Sequence, residues 1–138
     1  MRVTVDTDVL VRAAALDDPR QAAQAATLLR EAEAIVVPQP VLCEFAWVMR
    51  RSYRWSPAQV AGLIRSLVNS PTVLVDRSVT EAGLAMLDAG GDFADGVIAF
   101  AGRQMGGAIF ASFDRRAVEL MRAAGGETLL LAAANDVG

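Results

Sequence analysis

The chain contains no histidine and no lysine. All 13 of its basic residues are arginine. Without histidine there is no imidazole for general acid–base catalysis, no Ser-His-Asp triad and no His-ligated zinc. Without lysine, every mechanism that needs a side-chain amine is excluded. The single cysteine, Cys43, forms neither an internal disulfide nor a thiolate cluster on its own. It lies in an apolar run, where it reads as a small core residue, and as a nucleophile it would lack a histidine base. Such cysteine usage suits a reducing cytoplasm. No apolar run approaches the roughly 20 residues of a membrane span. The opening Met1-Arg2-Val3-Thr4-Val5-Asp6 reads directly as a strand and not as a secretory leader. A soluble, cytoplasmic protein that makes no use of a membrane is expected.

What remains is a globular composition. The chain has 138 residues, 54% hydrophobic and 21% charged, enough to bury a core without covalent staples. A single domain over residues 1–138 is expected, with no repeat and no linker. The net charge is −3, from 13 Arg against 16 acids. A nucleic-acid binder is ordinarily basic. If four acids serve as metal ligands, twelve remain against the 13 Arg, a balance of +1. The overall charge therefore neither excludes nor supports RNA.

Short β-like runs alternate with longer helical ones. Val3 to Val5, Ile35 to Val37, Thr72 to Val75 and Ala108 to Ala111 predict strands, with Thr128 to Leu131 as a final one. Gln21 to Ala34 predicts a helix announced by Asp17, Asp18 and Pro19. Pro40 to about Tyr53 predicts another, as does the segment opened by Ser56-Pro57. Further helices are expected over Ser78 to Leu87, Phe93 to Met105 and Asp114 to about Ala124. The alternation predicts an α/β fold with apolar parallel strands. In such sheets ligands gather beyond the carboxyl ends of the strands, and several acids lie there.

Asp6 ends the first strand, and either it or Asp8 caps the next helix. Asp8 is assigned the cap and Asp6 the chemistry. Glu44 is the only charge in Val41 to Met49. On a helix apolar all round it would be buried, needing a cation, a metal or a proton. The alternative is a narrow solvent-exposed stripe or an arginine partner. Asp92 and Asp95 have the spacing of a capping box, followed by Gly96, where a small residue admits close packing beside Asp95. Asp114 follows the fourth strand as Asp6 follows the first, and also suits an N-cap. Arg115 and Arg116 beside it either meet phosphate or are solvated. Together the four acids Asp6, Glu44, Asp95 and Asp114 would raise one another's pKa values or demand a cation. An all-oxygen ligand set selects Mg²⁺ or Mn²⁺, which suits phosphodiester hydrolysis.

Four segments carry a resemblance: Val5-Asp6-Thr7-Asp8-Val9-Leu10, Pro40-Val41-Leu42-Cys43-Glu44, Asp92 to Ala99, and Ser112-Phe113-Asp114-Arg115. In this order, over the whole chain, they resemble the PIN-domain ribonucleases, and among them the VapC-type toxins of bacterial toxin–antitoxin pairs. The resemblance implies a three-layer α/β/α sandwich with a short, mainly parallel sheet. It implies Asp6, Glu44, Asp95 and Asp114 as an acidic quartet around Mg²⁺ or Mn²⁺. It also implies endoribonuclease activity, a homodimer, and a cognate antitoxin that covers the site. Asp92 fits a frequently acidic position near the metal. Position 8 is usually Asn or Ser in these proteins and is Asp here. Position 112 is often Thr; Ser112 keeps a hydroxyl for orienting Asp114 or a metal-bound water.

Trp47, Val48, Met49, Tyr53 and Trp55 read mainly as core. Any that are exposed would suit a partner helix. Arg50, Arg51 and Arg54 nearby suit RNA phosphates or plain solvation. Two other functions compete. Asp6-Thr7-Asp8 partly resembles the haloacid-dehalogenase phosphatase signature, but Val9 replaces the expected glycine and no lysine exists. A phosphorelay receiver is excluded more firmly by the same missing lysine. A non-catalytic PIN-like binding module would normally have lost one of the four acids.

Overall fold

The computed structural model describes residues 1–132; positions 133–138 of the expected single domain lie outside the described residues. The chain opens with β1 (Arg2–Thr4), α1 (Thr7–Ala15) and α2 (Pro19–Glu31). Next come β2 (Ala34–Val36), α3 (Gln39–Arg51), α4 (Pro57–Val68) and β3 (Val73–Leu74). The last elements are α5 (Arg77–Asp88), α6 (Phe93–Gln104), β4 (Ile109–Ser112), α7 (Arg115–Ala123) and β5 (Glu127–Leu130). All strand pairs are parallel, in a three-stranded sheet of order β1-β2-β3 and a two-stranded sheet of β4 and β5. Helices cover these short strands, an α/β arrangement consistent with a three-layer α/β/α sandwich.

Local chemistry explains where the helices begin. Ser56 accepts from the Gln59 N–H while the Gln59 side chain accepts from the Ser56 N–H, a complete capping box at the start of α4. Asp18 caps α2 and Asp76 caps α5. Pro19, Pro40 and Pro57 each fall in a first turn, where the missing N–H costs nothing. The second helix ends earlier than its composition predicts, because Ala34 is already in β2 and pairs with Arg2.

The main core joins β1 and β2 to α1, α3, α4, α5 and α6 through Val5, Leu10, Ile35, Leu42, Phe45, Met49, Ile64, Leu87 and Phe93. A smaller cluster of Met86, Ala99 and Met121, with Phe110 and Leu120 against it, packs beside β4 and α7. Two ties hold the α1 and α3 ends together. The Tyr53 hydroxyl donates to Asp17 at 2.7 Å, and Arg12 donates to the same carboxylate at 3.2 Å. These bonds hold the Asp17 carboxyl below the usual carboxylate range, the Tyr53 bond most of all. Tyr53 therefore belongs to a polar junction and not to plain core.

The tightest helix crossing is α5 on α6, and it depends on two glycines. A Cβ on Gly83 would meet the Phe93 ring at 2.5–2.7 Å. A Cβ on Gly96 would collide with the Ala82 carbonyl, whose carbon lies at 2.9 Å. The small residue beside Asp95 thus lets a helix backbone pack there. Gly96→Ala is expected to cost about 1–3 kcal/mol by overpacking, seen as a Tm lowered by several degrees. Gly62, in the exposed middle of α4 with nothing within 4 Å of its Cβ position, is the matched contrast. Gly62→Ala is expected to stabilise by about 0.4–1 kcal/mol. Thermal unfolding followed by circular dichroism checks both, and an unchanged Gly96→Ala protein would refute the close crossing.

A candidate acidic metal centre

Asp6 follows β1 and is the N-cap of α1. Its Oδ1 accepts from the Val9 N–H at 3.3 Å. The expectation that Asp8 holds this cap is not met. The helix begins at Thr7, so Asp8 falls inside the first turn, exposed beside a groove shared with Gln21 and Gln24 of α2. Its charge acts on Arg12. The cap uses Asp6 Oδ1 alone, so capping and ligation are compatible at this residue.

Glu44 lies on α3, and of its two readings the solvent-exposed stripe is the one the fold bears out: the residue is exposed. The helix is not apolar all round. Leu42, Phe45, Ala46 and Met49 face the core, while Pro40, Glu44, Trp47 and Arg51 form an exposed stripe at helical spacing. Trp47 made the stripe look apolar in sequence. Glu44 Oε2 accepts from the Thr7 hydroxyl at 3.0 Å. Thr7 was not singled out by the sequence reading, although it sits between two acids in the first motif. This bond ties Glu44 to the residue next to Asp6.

Asp92 is the N-cap of α6 and Asp95 lies in the first turn, as the spacing predicts. The capping box itself is not made, because the Asp92 side chain forms no cap hydrogen bond. Asp95 is half-buried. Burial pushes its carboxyl above the usual carboxylate range, and the negative charges of Asp92 and then Asp114 push the same way. Asp114 caps α7 by accepting from the Ala117 N–H at 3.1 Å. Ser112 Oγ in turn accepts from the Asp114 N–H at 2.9 Å. Its hydroxyl thus fixes the backbone at Asp114, as a short hydroxyl residue does in a turn.

Three carboxylates therefore share one field, at Asp92, Asp95 and Asp114. A fourth, Glu44, is linked through Thr7 to the Asp6 end of α1. The α3 helix touches both α1 and α6 and so lies between these two groups. Among the described residues, no group of three or more Asp, Glu or Cys side chains is placed to hold an ion. The acids surround a region without closing on a point. Their chemistry nevertheless fits a hard divalent cation. The donors are all oxygen, and the neighbouring negative charge that raises the Asp95 carboxyl is what such a cation would neutralise.

A pocket of about 230 Å³ is lined by Asp92 and Asp95 together with Trp47, Arg50 and Arg51 of α3. Arg50 donates to the Trp55 carbonyl at 2.9 Å, and the Arg51 guanidinium stands 5.6 Å from the Trp47 ring centre. Arg116 and Arg115 lie exposed just beyond Asp114. One further acid, Asp76, follows β3 as Asp6 follows β1. It accepts from Gln39 at 3.4 Å while capping α5, and no sequence signal sets it apart from an ordinary cap.

No curated protein matches the chain. A family description does: the PIN domain, over residues 3–123. That span runs from β1 through α7 and takes in Asp6, Glu44, Asp95 and Asp114 with the strand and helix ends that present them. The match covers most of the chain, and the protein belongs to the PIN domain family.

Proposed function

We propose that the protein is an endoribonuclease dependent on Mg²⁺ or Mn²⁺, with Asp6, Glu44, Asp95 and Asp114 as its metal-holding and catalytic acids. PIN domains are typically metal-dependent nucleases. The observation that carries the reading is the half-buried Asp95 carboxyl, raised by its burial and then by the charges of Asp92 and Asp114. A carboxyl kept under like charge in a cleft is a marker of a working site. A bound divalent ion would supply a water of lowered pKa and stabilise charge on the phosphodiester. The chain's own groups do the rest. Thr7 orients Glu44 through its hydroxyl. Ser112 fixes the turn that presents Asp114. Asp92, free of a capping bond, adds charge at the same place.

The sequence resemblance to VapC-type toxins supports a place in a toxin–antitoxin pair, with a cognate antitoxin covering the site and a homodimer as the active form. No helix is long and apolar enough to cross a membrane among the described residues, in keeping with a cytoplasmic role. One observation favours a second reading. Because no three ligands converge among the described residues, a PIN fold that binds RNA or a partner without cutting is the alternative.

Cleavage of total cellular RNA by purified, partner-free protein decides between them. Discrete products that require Mg²⁺ or Mn²⁺, vanish in EDTA and fall at least about 100-fold in Asp6→Ala are expected. No cleavage by folded, metal-loaded protein would favour the binding module, and turnover of a small phosphomonoester would favour a phosphatase.

The Asp95 environment generates a second test. A carboxyl with a raised folded-state pKa is costly to the fold when ionised. That cost is absent below the usual carboxylate range and fully present above the raised value. At pH 7 without metal, Asp95→Asn is therefore expected to raise Tm, by about 1–3 °C given its partial exposure. Added Mn²⁺ should stabilise the wild type and not the variant. A variant that gains Tm from Mn²⁺ as the wild type does would remove Asp95 from the ligand set.

A further inference from the structure

The stripe of α3 that exposes Glu44 also exposes Trp47, at 59% of its surface. A lone exposed aromatic is unremarkable. This one stands under an arginine and lines a pocket that two carboxylates, Asp92 and Asp95, also line. The pocket, about 230 Å³, has room for one flat ring system. Arg50 and Arg51 share its wall with Trp47, and neither forms an ion pair among the described residues. Asp92 and Asp95 line the same pocket. The walls thus present a flat aromatic face, cationic donors and the rim of the acid cluster within one cavity.

We infer that this pocket is a nucleotide subsite. One unpaired RNA base stacks on Trp47, and Arg51 and Arg50 hold the phosphate attached to it, so that a neighbouring phosphodiester lies at Asp95. The inference deepens the nuclease reading and rests on it. Three physical points lead to an unpaired nucleotide in particular. A base inside a duplex has no free π-face, so stacking on Trp47 selects single strands, loops or bulges. Base stacking on an aromatic ring tolerates any base, because every base has a π-face. Arg51, one helical turn beyond Trp47, lies over the indole at cation–π distance, so one face of the ring already carries a guanidinium that a phosphate of a base stacked on the other face can reach. The charge layout also has a direction. Phosphate is attracted to the arginine wall and repelled from the acid wall until a cation is present there. Trp47 is then a positioning residue: it sets which phosphodiester reaches the acids and has no part in breaking it.

The test is binding in EDTA, where nothing is cut. The probes are fluorescently labelled hexauridylate and hexaadenylate, a duplex of the same length, and a hexamer of abasic ribose phosphates. Wild-type protein is expected to prefer the single strands to the duplex. Trp47→Ala should weaken single-strand binding by about 5- to 150-fold, the range of one lost base stack. Trp47→Phe should recover most of it. The abasic hexamer should bind wild type and Trp47→Ala alike, which a merely structural role for Trp47 would not produce. Arg51→Ala should weaken every strand and reduce the salt dependence by about one phosphate contact. With Mn²⁺, Trp47→Ala should raise KM far more than it lowers kcat. If the wild type cuts RNA while Trp47→Ala binds the hexamers as the wild type does, the subsite is wrong, the nuclease stands, and the Trp47 face is left for a protein. If the wild type neither binds nor cuts RNA, the nuclease reading falls and takes the subsite with it.

Discussion

The contact on which the site depends is the close crossing of α5 and α6. Gly83 admits the Phe93 ring, and Gly96 admits the Ala82 carbonyl. Phe93, Asp95 and Gly96 are consecutive parts of one turn, so the packing that seats α6 also sets the height of Asp95 and the free N-terminal Asp92. From there the geometry passes to α3, which packs on α6 and carries Glu44, Trp47 and both arginines of the pocket. A methyl group at position 96 would displace the acidic turn together with the helix. The glycine is therefore tied to the site by packing and not by backbone flexibility, since its φ is unexceptional and its Cβ space is filled.

Much of this was legible in the sequence. The α/β alternation, the parallel strands and the positions of most helices follow from composition and from Pro, Gly, Ser and Asp punctuation. The acids past the first and fourth strands, and the pair opening α6, were located correctly. The errors have physical sources. Asp6 and Asp8 are two residues apart, and sequence alone does not show whether a helix begins at residue 7 or 9. The sequence leaves Glu44 open between burial and an exposed stripe because Trp47 counts as apolar in a periodicity argument, while in space it lies on the solvent face. Thr7 escaped notice because a hydroxyl among acids has no pattern until its partner, 37 residues away, is known. The split of the strands into two sheets was equally invisible, since nothing in a three- or four-residue apolar run specifies its neighbour.

Three of the acids stand at helix N-termini. Asp6 and Asp114 cap helices that begin beyond strand ends, and Asp92 occupies an N-cap position without making the bond. Helix N-termini carry partial positive charge, which offsets part of the repulsion among gathered carboxylates before any cation arrives. The arrangement thus stores negative charge with local compensation at each member. Asp95 shares the first turn of α6 but is half-buried. Burial first, and then the charges of Asp92 and Asp114, raise its carboxyl, so the cost that the helix end does not offset collects at this residue, and a cation beside it would lower that cost.

Charge distribution then reconciles an acidic chain with an anionic substrate. The net charge of −3 is a sum over surfaces that do different work. Several arginines stand near the acids without ion-pair partners among the described residues: Arg50 and Arg51 on α3, and Arg115 and Arg116 at the start of α7. Those that do pair, Arg12 with Asp17 and Arg65 with Asp88, lie in structural junctions elsewhere. Phosphate would meet the unpaired guanidinium groups locally, since charges beyond roughly 8–10 Å are screened at physiological salt. A bound cation would further reverse the sign of the acidic wall. Guanidinium groups suit this use better than amines, because the planar fork meets phosphate with two parallel hydrogen bonds and also stacks on indole. The absence of lysine, which first served to exclude mechanisms, leaves a surface whose every cation can both hold phosphate and pack against a ring.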